Sequence, residues 1–530
     1  MDPQIRTLVD ITASPQALAA QADMVLERAK WAAEVFQRYD RPRTLAIAEA
    51  VAKAAHAKAG DYAEWAVRET GFGVAQHKKI KNEMTSLPFL DFYRDWDFVN
   101  PKLNSLRRIV EVPRPAGVVF ALVPSTNPIA TINFKCLCAM LTRNAIVMSP
   151  HPAARECGVD ATRTLAAAAE AAGAPDGAIQ VIERPSIPLI EELMRSDKTD
   201  VILATGGTAM VRSAYSSANP AIGVGPGNAP VLVDATADLK AAAQAVTDSK
   251  AFDNSVLCTA ESVLVTVAEA EKELTRELER AGSHICSAEE TELVRGYLFH
   301  ERGFNVEALG RDATWIAARA GFKVPPKTRV LVTPVTLIGV DEPLSREKLC
   351  PVLAMFTARG RVQALAMSRA VLRFSGAGHS AAIHTRDPQM VMDYATAVEA
   401  YRVVVNAPCS TGAAGFETNL PPTFTIGTGY FGRSSIGDNI GPQHLVHWTQ
   451  VAYHKDSAEA FTRLESVERR FEGPLPEAPS DGVPGKSFAA LRAEITATKR
   501  ALGNDDPSSA RLREDIRRII AEELRQVLKG

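Results

Sequence analysis

The first hundred residues carry a helical period. In ALAAQADMVLERAKWAAEVFQRY and RTLAIAEAVAKAAHAKAGDYAEWAVRET, apolar residues recur at helix spacing among many alanines. The period then shortens. RRIVEVPRPAGVVFALVPSTNP has β-branched runs broken by prolines and predicts strand, turn, strand. Short apolar runs follow: NAIVMSP, GAIQVIE, DVILATGG, APVLVD and ESVLVTV. Helical segments such as GVDATRTLAAAAEAAG and IPLIEELMRS lie between them. That alternation predicts a doubly wound α/β body with parallel strands. A second set, TRVLVTPV, PVLAMFT, SAAIHT and YRVVVN, carries it on to about Asn406.

The texture changes after about Lys455. FEGPLPEAPSDGVPGKS and GNDDPSS read as linkers, and FAALRAEITATKRAL between them as a short helix. The final ARLREDIRRIIAEELRQVLKG places Leu512, Ile516, Ile519, Ile520, Leu524, Val527 and Leu528 on one helical face. Asp505, Asp506 and Ser508 or Ser509 offer caps before it. An isolated helix of this length is marginal in water, so its apolar face needs a partner. The partner could be its own body or another tail. A membrane surface is the poorer fit, because the helix carries acids.

Composition narrows the function classes. The 530 residues are 46% hydrophobic and 23% charged with a net charge of −2, so a large core is available and no basic stripe points to nucleic acid. The length suits two or three domains or one large α/β body. No apolar run is long enough to span a bilayer, and MDPQIRTLVDITASPQ is not expected to act as a secretory signal. Seven cysteines are too sparse for a disulfide scaffold, and a reducing cytoplasm is expected. Cys136 and Cys138, spaced C-x-C, read as core; no metal ligand set is expected.

Three glycine-rich stretches bear on a nucleotide. GTGYFG (427–432) fits G-x-G-x-x-G but lacks a following helix, so the match reads as accidental. LATGGTAMVRSA sets Gly206 and Gly207 between a strand and a helix, either a phosphate- or ribose-facing turn or a plain β–α turn. AIGVGPGNAP suits close backbone approach. Asn127, just after a strand, is either a donor to an oxyanion or a turn residue before Pro128. Glu347 is either a ribose ligand or a solvated acid. A lone histidine such as His379 is more often structural than catalytic. Cys258, in FDNSVLCTAESVLV, is by default a buried core thiol.

Together these segments stop looking independent. VPSTNP, SPHPAA, TGGTAMV, GVGPGNAP, FDNSVLCTAE, SREKLCPVLAMF, GAGHSAAIHT and GTGYFGRSSIGDNIGPQHL occur in the order seen in one family. The chain resembles the CoA-acylating branch of the aldehyde dehydrogenase superfamily over roughly Thr12 to Lys455. That branch includes the aldehyde dehydrogenase half of bifunctional alcohol/aldehyde dehydrogenases and the acetaldehyde, propionaldehyde and sulfoacetaldehyde acylating enzymes.

The resemblance implies an aldehyde dehydrogenase fold. A Rossmann-like cofactor domain would span 1–228, with a β-arm segment at about 103–118. A catalytic α/β domain would span 229–424. A segment at 425–455 would complete the arm and join subunits as a homo-oligomer, dimer or tetramer. A linker would fill 456–509. The amphipathic helix at 510–530 resembles encapsulation peptides, which would bind a shell protein and place the enzyme in a bacterial microcompartment.

It also implies roles. Cys258 would be the nucleophile, Asn127 the oxyanion donor, and His379 a residue of the acylating site. Cofactor contacts would come from Pro124, Ser125, His151, Pro152, Gly206, Gly207, Thr208, Gly225 and Glu347. Hydrolytic relatives carry a glutamate base in a segment resembling E-L-G-G-K-S-P. Here VGPGNAP puts Val224 near that position, which suits a CoA thiol rather than water as acyl acceptor. NAD is the expected cofactor; Ala154 and Arg155 in HPAARE also permit NADP. The rivals are a hydrolytic, CoA-independent dehydrogenase and a catalytically idle shell-binding protein with this fold.

Overall fold

The computed structural model describes residues 14–104, 106–300, 303–455 and 478–479. The linker and tail helix expected at 456–509 and 510–530 lie essentially outside the described residues. Residues from Ser14 to Lys455 belong to one compact unit.

The expected helices form first: α1 (Pro15–Phe36), α2 (Arg41–Ala57), α3 (Ala59–Thr70), α4 (Ala75–Met84) and α5 (Leu87–Tyr93). Ser14 and Asp40 cap α1 and α2 by accepting from Ala17 N–H and Arg43 N–H. The single helical run expected over 43–70 breaks at Lys58.

The strands are β1 (Lys102–Asn104), β2 (Ile109–Pro115), β3 (Val118–Leu122), β4 (Ala145–Ser149), β5 (Ile179–Val181), β6 (Val201–Thr205), β7 (Ala221–Val224), β8 (Ala229–Val233), β9 (Glu261–Val267), β10 (Ser283–Ile285), β11 (Phe299–His300), β12 (Gly303–Phe304), β13 (Val330–Pro334), β14 (Val352–Ala358), β15 (Ala381–His384), β16 (Val403–Val405) and β17 (Val446–Ala452). They build two parallel sheets. One has the order β5-β4-β3-β6-β7 and the other β10-β13-β14-β9-β8-β15-β16. The chain leaves the first at Val224 and enters the second at Ala229, so GPGN is the crossing. β7 and β10, the strands that periodicity missed, are three or four residues long.

A third sheet, β1-β2-β17, is antiparallel, with Trp448 opposite Pro113. β1 and β2 cover much of the segment, about 103–118, where an arm was expected. Of the stretch from Thr425 to Tyr453, however, only Val446–Ala452 is strand. The earlier part carries Gly427, Gly429, Gly432, Gly437 and Gly441 and stays irregular; Gly429 sits at φ 51°.

Helices α6 (Pro128–Leu141), α7 (Arg155–Ala171), α8 (Ile187–Arg195) and α9 (Thr208–Tyr215) accompany the five-stranded sheet. α6 is buried along its whole length, and Cys136 and Cys138 are core residues as expected. Its Lys135 donates to Leu122 O at 2.6 Å and Leu203 O at 2.8 Å, tying the ends of β3 and β6 together. Burial pulls the Lys135 pKa down to about 7. Among the described residues no helix is long and apolar enough to cross a membrane.

Candidate active site

Four strand ends of the five-stranded sheet open on one edge, because the strands are parallel. β3 runs into Pro124–Ser125, β4 into His151–Pro152, β6 into Gly206–Gly207 and β7 into Gly225. β3 and β6 are neighbours where the winding reverses, the position at which open α/β sheets take ligands. Gly207 caps α9, which begins at Thr208. A Cβ on Gly206, Gly207 or Gly225 would meet nothing within 4 Å, so backbone is open to an incoming group there. His151 Nδ1 accepts from Ala153 N–H at 3.1 Å. The first amides of α7 are already taken. The Glu69 carboxylate accepts from Glu156 and Cys157 N–H at 2.7 and 2.8 Å.

Cys258 follows α10 (Leu239–Ala251) through a turn at Phe252–Ser255. Asp253, Asn254 and Ser255 have φ of 48°, 51° and 63°. Left-handed backbone costs an ordinary residue about 1–2 kcal/mol, and aspartate and asparagine tolerate it best. Buried charge holds the turn. Asp253 is fully buried and accepts from Val74 N–H at 2.6 Å and Lys78 Nζ at 3.1 Å, and from Lys81 Nζ. Its own N–H donates to His77 Nδ1 at 2.8 Å, and the His77 ring stacks on Phe252. Burial alone would raise the Asp253 pKa, yet the two lysines hold it below the usual carboxylate range. Burial lowers Lys81 to about 8, with Asp253 pulling it back up.

Asn127 enters from the other sheet. It stands at the head of α6 but makes no cap with its side chain. Its Oδ1 accepts from Lys81 Nζ, and its Nδ2 donates to Thr126 Oγ1 at 3.2 Å and Val256 O at 3.3 Å. The amide thus reaches the backbone two residues ahead of Cys258.

Glu347 and His379 close in through glycines. Gly227 N–H donates to Glu347 Oε1 at 3.1 Å, and a Cβ on Gly227 would collide with the Cys258 carbonyl oxygen. Gly376, at φ 82°, lies so near Gly227 and Asn228 that no Cβ fits there. Three residues on, His379 is buried. Its Nδ1 meets Ser380 Oγ at 3.1 Å, its Nε2 has no partner among the described residues, and burial lowers its pKa to about 3. The buried Arg402 donates to the carbonyls of His379, Gly378, Gly437 and Gly427 and to Asn439 Oδ1. Its five N–H groups are therefore matched within the protein. Burial and the nearby Glu347 push the half-exposed Cys258 thiol up to about 12, while Arg402 and Lys81 pull the other way.

The profile described as "Aldehyde dehydrogenase family" matches residues 3–452. The chain belongs to that family. It is 37% identical over 457 residues to an aldehyde-alcohol dehydrogenase of Clostridium acetobutylicum, covering 85% of this chain and 53% of that one. The chain thus spans about half the length of that relative. It is 33% identical over 437 residues to a succinate-semialdehyde dehydrogenase (acetylating) of Clostridium kluyveri, covering 82% and 96%. The crystal structure of an acetylating aldehyde dehydrogenase from Geobacillus thermoglucosidasius superposes with a TM-score of 0.81 at 35% identity, over 83% and 98% of the two chains.

Within this aldehyde dehydrogenase, Asn127, Cys258, Glu347 and the His379 loop converge on one turn. Pro124, Ser125, His151, Pro152, Gly206, Gly207, Thr208 and Gly225 line the neighbouring sheet edge. Lys78, Lys81, His77 and Asp253 were not legible. HKKIK reads as a solvated helix face, yet the buried residues of α4 are Lys78, Lys81 and Asn82. The available signal was DN in FDNS, two residues that accept left-handed backbone. Glu261, the first residue of β9, was also missed. It is fully buried, accepts from Cys409 N–H at 2.9 Å, and is raised to about 7 by burial. Away from this site, His284, Cys286 and Glu290 lie within 4.8 Å of one another. That grouping is a helix cap: Glu290 accepts from Ser287 N–H at 2.8 Å and pairs with His284 at 3.0 Å.

Proposed function

We propose that the chain is a CoA-acylating aldehyde dehydrogenase, converting a small aldehyde, CoA and NAD to acyl-CoA and NADH, reversibly. The observation that carries this reading is Val224. It is the buried, apolar last residue of β7 at the position where hydrolytic relatives carry a glutamate base. Water needs such a base to attack a thioester at useful rates; a thiol supplies its own thiolate. The acetylating relatives support the same acceptor.

Cys258 attacks the aldehyde carbonyl. Its S–C bond forms as the carbonyl π bond breaks onto oxygen and the thiol proton passes to solvent, and the oxyanion is met by the Asn127 amide and the Cys258 N–H. Asn127 is suited to this because both of its present N–H bonds are long. A nicotinamide held at the strand ends by Gly206, Gly207, Gly225 and Glu347 would supply the hydride acceptor, and Cys258 would keep the acyl group as a thioester. CoA then takes the acyl group. Glu347, at Gly227, is placed to receive a ribose hydroxyl. The open strand ends from Pro124 to Gly225 fit a dinucleotide. His379, held neutral by burial, would act in the acylating site as a hydrogen-bond acceptor rather than as a strong base. NAD is favoured over NADP, because Glu69 occupies the amides of α7 that would otherwise draw a 2′-phosphate. We further propose that β1, β2 and β17 join subunits, and that the tail takes the enzyme to a microcompartment shell.

The test is nicotinamide reduction with a panel of short aldehydes, with and without CoA. Turnover that needs CoA and falls more than ~10³-fold in Cys258→Ala is expected. Steady turnover without CoA would establish the hydrolytic alternative. No turnover in either direction would leave the shell-binding scaffold.

A further inference from the structure

The ion cluster behind Cys258 contains two lysines for one aspartate. Lys78 and Lys81 lie one helical turn apart on α4, and both reach Asp253. Their remaining contacts differ. Lys78 Nζ donates to Thr126 O at 3.0 Å, whereas Lys81 Nζ donates to the side-chain oxygen of Asn127. Both ammonium groups are buried, and with Asn82 and Asn127 they line one small cavity at the head of α6.

An asparagine amide has two similar ends, and nothing in its shape decides which way it faces. An ammonium group only donates, so the end that meets Lys81 must be the oxygen. The NH₂ end is thereby turned to the Cys258 side, where it reaches Val256 O. The charge also polarises the amide and strengthens its N–H donors. The same ammonium holds the carboxylate that pins the left-handed turn before Cys258. One cation thus fixes both the nucleophile's turn and the donor that faces it.

We propose that Lys81 is a positioning residue for the acyl-transfer step: it sets the orientation of the Asn127 amide and the turn that presents Cys258. The proposal rests on the roles assigned above to Cys258 and Asn127. Lys78 shares the aspartate but not the asparagine. It is therefore the internal control for a merely structural role.

The experiment acylates Cys258 with p-nitrophenyl acetate, with neither nicotinamide nor CoA present. The sulfur–acyl bond forms, the ester C–O bond breaks, p-nitrophenolate leaves and the thiol proton goes to solvent. Nitrophenolate release gives the rate, and intact mass confirms acylation. Lys81→Met, Lys78→Met, Asn127→Ala and the Lys81→Met/Asn127→Ala double variant are compared with wild type. Removing an oriented oxyanion donor costs roughly 10²–10³-fold, and Lys81→Met is expected to approach that loss. It should exceed the Lys78→Met loss at least about tenfold. On the Asn127→Ala background it should add less than about threefold, because the residues act as a unit. Lys81→Gln, which keeps a donor toward Asn127 without the charge, should fall between wild type and Lys81→Met, and replaces it in the cycle if that variant does not fold. Equal losses in the two lysine variants, or multiplicative losses in the double variant, would overturn the assignment. An intact ester burst in a wild-type chain whose nicotinamide turnover ignores CoA would bring down the proposed function and leave the Lys81 result standing.

Discussion

The turns that end β3, β4, β6 and β7 and the turn that carries Cys258 face the same proposed reaction but are built in opposite ways. The first group is local. Each turn is made by a few adjacent residues, and glycines such as Gly206 and Gly225 have no neighbour in the way of a Cβ. The Cys258 turn is assembled across the chain. Asp253 is bound from positions 74, 78 and 81, and Gly227 lies against the Cys258 carbonyl and the Glu347 carboxylate. A substitution in the first group should change what binds without changing what folds. In the second group the two are coupled.

The largest break in that contrast should come from Asp253→Asn. It keeps the side-chain shape and the tolerance of left-handed backbone but removes the one carboxylate that, among the described residues, contacts the two buried lysines. Breaking a buried ion cluster by removing one sign typically costs about 3–5 kcal/mol. A fall of that size in unfolding free energy, read from urea midpoints at constant slope, is expected together with slowed acylation of Cys258. An unchanged midpoint would mean that the lysines give up their charge readily, and the turn would then be held by Val74 N–H and the His77 contacts.

A paired glycine experiment sharpens the comparison. Gly227→Ala sets a methyl against the Cys258 carbonyl and should disturb the turn, lowering acylation by at least about tenfold and stability by roughly 1–3 kcal/mol. Gly206→Ala meets no atom of the protein and should leave the melting temperature unchanged. A rise in the Michaelis constant for NAD with intact ester acylation would identify Gly206 as a place where the dinucleotide backs onto the chain. Equal effects of the two variants on stability would erase the distinction between the regions.

Glu69 tests a smaller effect at the sheet edge. With Glu69→Gln the amides of Glu156 and Cys157 lose a charged acceptor, and the head of α7 regains its attraction for anions. NADP should gain on NAD by roughly three- to tenfold in kcat/KM, about 0.7–1.4 kcal/mol. A ratio that does not move would place the 2′-hydroxyl elsewhere.

These contrasts also explain what could be read from the letters. Strands β3, β4, β6, β8 and β9 are continuous apolar runs, and the turns after them follow from glycine, proline and asparagine chemistry within a few residues. Cys258 and Asn127 stand out only because their motifs occur in order along the chain; each residue alone favours a structural reading. The buried face of α4 is hidden for a physical reason. Lysines at 78 and 81 carry the signature of a solvated helix, and only an aspartate more than 170 positions away turns that face inward. Gly227 could be seen as a site of close approach, but not what approached. The stretch from 425 to 445 stays irregular around glycines that are packed too tightly for a side chain: a Cβ on Gly427 would meet the carbonyls of Ile436 and Asp438, and one on Gly429 or Gly437 the Tyr401 ring.

A last comparison separates the two sheets by pH. Glu261, under the seven-stranded sheet, has its pKa raised to about 7 by burial, above the ordinary carboxylate value of 4.5. The folded state therefore holds more protons than the unfolded chain between those values. Its contribution is fully present below about 4.5 and is lost as pH rises through 7. Lys135, between β3 and β6, has its pKa lowered to about 7 from 10.5. There the unfolded chain binds more protons, so the contribution grows as pH rises from about 7 toward 10.5. A neutral amine still donates to both carbonyls, so the fold does not resist that loss of charge. Glu261→Gln should flatten the acid side of the stability–pH curve and Lys135→Met the alkaline side, each over its own window. The slopes are the readout, because both substitutions also lower stability at every pH. If Glu261→Gln instead changed the alkaline slope, its carboxyl would be titrating with Lys250, whose own pKa burial lowers to about 8. The seven-stranded sheet would then hold a coupled carboxyl–amine pair rather than one carboxyl titrating by itself.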